Sequence, residues 1–91
     1  NEIPQEFTLS QNYPNPFNPV TNIKFEIPKS GFVKITVYDL LGREISALVK
    51  EQMQPGSYNV DWDASDYPSG VYFYTLVTRD NSLTRKMVLL K

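Results

Sequence analysis

Apolar and polar residues alternate with period two along most of the chain, and no stretch sustains a helical period. Thr21-Asn22-Ile23-Lys24-Phe25-Glu26-Ile27 puts Ile23, Phe25 and Ile27 on one face. Pro28-Lys29-Ser30-Gly31 reads as a turn, and Phe32 to Tyr38 alternates again, with Val33, Ile35 and Val37 on the core face and Lys34 and Thr36 toward water. These two runs are expected to pair as a hairpin. Asp39-Leu40-Leu41-Gly42-Arg43 is a second turn. Glu44 to Val49 suits a short helix on propensity alone, but its strand neighbours favour a strand. After Gln54-Pro55-Gly56, Tyr58, Val60 and Trp62 point one way and Asn59 and Asp61 the other. Asp63 to Gly70 reads as a polar loop. Val71 to Thr78 is aromatic and β-branched, which favours a strand. Arg79-Asp80-Asn81-Ser82 turns the chain into a last strand, Leu83 to Leu90.

The first twenty residues differ. Residues 1–6 read as the end of a linker, and Phe7-Thr8-Leu9-Ser10 as a short edge strand. In Tyr13-Pro14-Asn15-Pro16-Phe17-Asn18-Pro19 the prolines lack the N–H that a central strand needs, so the segment is expected to be a stiff, extended loop. About seven short strands separated by turns predict an all-β domain over residues 7–91, a seven-stranded antiparallel immunoglobulin-like β-sandwich, with a small β-barrel as the alternative.

Composition narrows the chemistry. The 91 residues suffice for one domain, with no room for a cleft between lobes. Cysteine and histidine are both absent. That removes disulfides, thiolate nucleophiles, imidazole bases and the best zinc ligands together. Carboxylate pairs such as Glu26 and Asp39 exist, but they face no recognisable nucleophile–base partner. No enzyme activity and no cofactor are expected. A net charge of −1 carries no nucleic-acid footprint. No apolar run approaches the roughly 20 residues of a membrane-spanning helix. The chain opens on Asn1 without a signal peptide, as expected of a piece of a longer protein.

Four blocks then carry a resemblance. Gln11-Asn12-Tyr13-Pro14-Asn15-Pro16-Phe17-Asn18-Pro19 precedes a Thr-x-Ile-x-Phe strand. Val37-Tyr38-Asp39-Leu40-Leu41-Gly42-Arg43-Glu44 is the second block. Gly56-x-Tyr58 with Trp62 and then Ser69-Gly70-Val71-Tyr72-Phe73-Tyr74 form the third, and Lys86-Met87-Val88-Leu89-Leu90-Lys91 the fourth. In this order they resemble the C-terminal sorting domains (type A) of the bacterial type IX, or Por, secretion system. The immunoglobulin-like domain of flagellar hook-capping proteins looks similar. The sorting-domain resemblance implies a non-catalytic address label fused behind a cargo protein. The cargo would cross the periplasm of a Gram-negative bacterium, and the folded tail would be read by the outer-membrane translocon. In many such proteins a sortase cuts ahead of the domain and attaches the cargo to the cell surface; otherwise the cargo is secreted. The alternative is an accessory binding module for carbohydrate or a protein partner, or a structural spacer in a multidomain extracellular enzyme.

Each candidate site has a plainer reading beside it. The resemblance makes Lys86, Met87, Val88, Leu89, Leu90 and Lys91, with Gly70 and Tyr72, the translocon-recognition residues, gripped through the strand edge or by charge. As plain structure, this is an end strand guarded by basic residues, with Leu83, Met87 and Leu89 inward and Arg85 at the rim. The loop Pro14, Asn15, Pro16 and Phe17 is either a docking surface or a cover for a sheet edge, with Tyr13 and Phe17 as plugs. The turn Asp39, Gly42 and Arg43 completes the set. Asp61, Asp63 and Asp66 invite calcium, but Ser65 breaks the ligand spacing, so no metal is expected. Tyr58, Trp62, Tyr67, Tyr72, Phe73 and Tyr74 suggest a sugar platform, yet a domain this small needs aromatics for its core.

Overall fold

A computed structural model of the chain describes residues 3–91. Seven strands and no helix form among these residues. They are β1 (Thr8–Leu9), β2 (Val20–Ile27), β3 (Gly31–Tyr38), β4 (Glu44–Met53), β5 (Gly56–Asp63), β6 (Gly70–Val77) and β7 (Ser82–Leu89). One sheet has the order β1-β2-β5, the other β4-β3-β6-β7, and all pairs are antiparallel. Two sheets stacked in this way form an immunoglobulin-like β-sandwich, not a closed barrel.

Alternation builds the core. Ile23, Phe25 and Ile27 from β2 meet Val33, Ile35 and Val37 from β3, Tyr72, Tyr74 and Leu76 from β6, and Met87 and Leu89 from β7. All are buried. Each such side chain contributes roughly 1.5–3 kcal/mol relative to exposure. With no disulfide available, this packing carries the fold.

Three sequence expectations are corrected. β2 and β3 do not form a hairpin: β2 pairs with β1 and β5, while β3 crosses to the other sheet and pairs with β4 and β6. Both strands bury their apolar face, and facing each other across the core satisfies both at once. A Pro/Gly turn marks a reversal but does not say whether the chain stays in its sheet. Thr36 does not face water. It lies on the outer side of a central strand between Ala47 and Thr75, and its neighbours leave it 2% exposed. β4 extends past Val49 to Met53, and its register slips twice, so that Leu48 and Ile45 stand as extra residues against β3.

β1 enters opposite Glu26 and Phe25, near the end of β2 that leads into β3. β7 leaves opposite Gly70, beside the turn that ends β3. The incoming and outgoing chain therefore lie at opposite poles of the sandwich. Residues 1 and 2 of the expected linker lie outside the described residues.

Candidate functional site

Most of the candidate residues gather at the outgoing pole. The proline-rich loop runs beside β7 and satisfies its free edge. The Phe17 N–H donates to the Val88 carbonyl and the Leu90 N–H to the Phe17 carbonyl, both at 3.0 Å. Prolines cannot donate, so amide side chains fill the gaps. Asn15 Oδ1 accepts from the Val88 N–H at 3.0 Å, and Gln11 Nε2 donates to the Lys86 carbonyl at 2.7 Å. The loop is anchored by Asn12, whose buried Nδ2 donates to Thr21 Oγ1 at 2.9 Å and to the Pro14 carbonyl at 3.1 Å. It thus covers a sheet edge. Strand addition by a partner at Lys86–Leu90 would first have to displace it.

Phe17 and Tyr13 behave differently. Phe17 is 2% exposed and packs on Trp62 with ring centroids 5.8 Å apart. Tyr13 is 81% exposed and plugs nothing. Trp62 also touches Tyr67 and Tyr72, each at 5.6 Å. Trp62, Tyr72 and Tyr74 are buried, so these rings fill the core instead of forming a sugar platform. The Tyr72 hydroxyl donates to the Pro68 carbonyl at 2.6 Å and the Tyr74 hydroxyl to Ser10 at 2.6 Å. Burial pushes both phenols above the ordinary tyrosine range.

The turn after β3 is built around Asp39. Its Oδ1 accepts the N–H groups of Leu41 and Arg43 at 2.9 Å, and its Oδ2 accepts Arg43 Nε at 2.8 Å. The bonded Arg43 backbone N–H, helped by the guanidinium and the Leu41 amide, holds the carboxyl below the usual carboxylate range. Gly42 closes the turn at φ +84°, a conformation that a side chain resists. The turn holds Leu40 and Leu41 outward, 69% and 78% exposed. Beside them lies an open groove of about 610 Å³, whose apolar wall includes Ile45, Tyr67, Pro68, Val71 and Tyr72. Gly70 stands at its rim, opposite Leu89. Lys91 is tied down nearby: its N–H donates to Ser69 Oγ at 2.9 Å and its Nζ to the Ser65 carbonyl at 2.5 Å.

Asp61, Asp63 and Asp66 do not converge, and no group of three or more metal-ligating side chains forms among the described residues. Asp61 accepts from Asn22 Nδ2 at 2.8 Å. Asp63 accepts the Ser65 hydroxyl and amide, which lower its pKa, and so shapes the loop. Arg85 does sit at the rim, with Nε donating to the Leu9 carbonyl at 2.8 Å. No described helix is long and apolar enough to cross a membrane.

The family model for the secretion system C-terminal sorting domain matches residues 11–90. The chain belongs to this family. No curated protein matches it. A type IX sorting domain acts as a secretion-sorting signal, is in general non-catalytic, and serves passage through the outer membrane to the cell surface or exterior. In this sorting domain the four sequence blocks meet in space. Phe17 lies against Trp62, Trp62 against Tyr72, and Leu89 is bridged to Phe17 while paired with Gly70. The second block closes the groove through Asp39 and Arg43. Leu40 and Leu41, two strongly exposed aliphatic residues of this pole, were not candidates from the sequence. Their signal was two adjacent leucines inside a glycine turn, where polar residues are the rule.

Proposed function

We propose that this domain directs an N-terminally fused cargo from the periplasm through the outer-membrane translocon, which reads the folded outgoing pole. The observation that carries this reading is the exposed Leu40–Leu41 projection, in a turn hydrogen-bonded through Asp39, beside an apolar groove at the pole away from the incoming chain. A cargo attached ahead of Phe7 leaves that pole free. Two preorganised leucines next to a groove suit a protein partner, because little ordering entropy is lost on docking. Gly70, Tyr72, Asp39, Gly42 and Arg43 shape the groove, and Lys91 adds a charge at its edge. The terminal strand supports the site from within, since Met87 and Leu89 are fully buried. A sortase would then cut in the segment before Phe7.

Deleting residues 86–91 would remove those two core residues, so a lost signal would report unfolding as readily as lost recognition. Surface changes separate the two. The chain is fused behind an exported reporter in a host with type IX machinery, and compared with a Leu40→Ser/Leu41→Ser variant whose melting curve is measured in parallel. The reading expects a folded variant that stays off the surface. A folded variant exported as well as the parent removes the groove from the recognition site. Failure of the unaltered domain to export its reporter would remove the translocon role itself.

A further inference from the structure

The two sheets carry oppositely charged outer faces. Directly opposed residues of antiparallel strands share a face. On the four-stranded sheet this puts Lys34 opposite Lys50, and Lys86 opposite Phe73, all outward. Glu44, at the corner beside Tyr38, is the one carboxylate the register puts there. The three-stranded sheet reverses the ratio, with Glu26, Asp61 and Asp63 against Lys24.

The three lysines of this face outnumber Glu44 and are not paired with it. The ion pairs among the described residues are Lys29–Asp80 and Arg43–Asp39, so Lys34, Lys50 and Lys86 have none. Like charges directly opposed weaken a sheet, which makes the Lys34–Lys50 pair a cost to the isolated fold. Apolar surface lies beside it. Phe32 is 50% and Val77 39% exposed, and with Lys34, Arg79 and the Lys29–Asp80 ion pair they border an open depression of about 920 Å³.

We propose that this face lays the domain on an anionic phospholipid bilayer. Four strands at about 4.8 Å spacing make a surface broader than one extended peptide would cover. Lysine stems lie along apolar surface while their heads reach outward to phosphates, and Phe32 and Val77 supply the apolar contact. The acidic face on the other side is repelled by the same bilayer, so the orientation is fixed. Each lysine near an anionic membrane adds about 1 kcal/mol, or roughly fivefold, and three add on the order of a hundredfold. This inference is independent of translocon recognition.

The test is sedimentation of the purified 91-residue chain with phosphatidylcholine vesicles, with and without phosphatidylglycerol, at low and high salt. Binding is expected to the phosphatidylglycerol vesicles alone and to weaken with salt. Lys34→Gln/Lys50→Gln/Lys86→Gln should lose about a hundredfold, Phe32→Ser should lose the salt-resistant part, and Lys24→Gln on the other face should bind as the parent does. Urea melts confirm that each variant is folded. Equal binding to both vesicle types, no binding to either, or full binding by the triple variant overturns the proposal. So does salt-sensitive self-association without lipid that the triple variant abolishes, which would assign the basic face to the acidic face of a second copy. Because the assay holds no secretion machinery, its failure leaves the sorting role untouched.

Discussion

Phe17→Ala tests whether the proline-rich loop is structure or ornament. The side chain is 2% exposed and lies between Trp62 and the end of β7. Removing a buried phenylalanine costs about 3–5 kcal/mol, through lost burial and the cavity left behind. A 91-residue domain is stable by about 5–14 kcal/mol in total, so this one change takes a large share. At roughly 4–8 °C per kcal/mol for a domain of this size, Tm should fall by roughly 12–40 °C. Urea unfolding gives the free energy, and amide exchange gives the location. The Leu90 N–H, bonded to the Phe17 carbonyl, should lose protection before amides of central β3 do. Tyr13→Ala is the control four residues away. At 81% exposure it should cost under about 0.5 kcal/mol. Equal effects of the two changes, or a Phe17→Ala loss below about 1 kcal/mol, would refute the idea that the loop anchors β7.

Other expectations are smaller. Asn15→Ala removes the acceptor of the Val88 N–H and should cost about 0.5–1.5 kcal/mol in urea unfolding, with faster exchange at Val88. Gly42→Ala forces a side chain into φ +84° and should cost about 1–2 kcal/mol, read in the same way. Burial raises the Tyr72 and Tyr74 phenols, so their contribution to stability is complete below the ordinary tyrosine pKa of about 10 and is lost as pH rises through the raised values. Phenolate absorbance should show a late phase that Tyr72→Phe and Tyr74→Phe each reduce. Asp39 has a lowered pKa, so its contribution is present above the ordinary carboxylate range and lost as pH falls through the lowered value. The Leu41 and Arg43 amide resonances should shift together in that acid window.

Strand positions and their inner faces were legible because alternation reports burial directly. Ile23, Phe25, Ile27, Val33, Ile35 and Val37 were all placed correctly on that signal. Sheet membership was not legible. The β2–β3 connection looks like a hairpin turn locally, and only the need to cover two apolar faces sends β3 across the core. The extra residues of β4 were hidden for a related reason: Leu48 and Ile45 break the alternation, and a broken period reads equally as a helix. At the site, the blocks could be named from the residues, but their meeting could not. Phe17 and Leu89 are far apart in sequence and joined by backbone bonds that carry no side-chain signature. The Asn12–Thr21 anchor was missed because a buried amide bonded to a hydroxyl leaves no pattern along a strand.

That convergence bears on what a sorting signal of this kind can be. Residues that look like a linear tag, from Lys86 to Lys91, split into two populations. Met87 and Leu89 are wholly buried, while the outward backbone groups of Lys86, Val88 and Leu90 are bonded to Gln11, Asn15 and Phe17. A partner meeting the folded domain finds neither the Met87 and Leu89 side chains nor that edge available. In the proposed mode of recognition, what it meets is the pole they hold in place: Leu40 and Leu41, the groove rim and the Lys91 side chain. A substitution in the terminal block would then act through the fold, and one in the Leu40–Leu41 turn through contact. The two classes should separate in a plot of export against stability. Block variants such as Leu89→Ala should fall on one common line, and Leu40→Ser/Leu41→Ser should fall well below it at full stability.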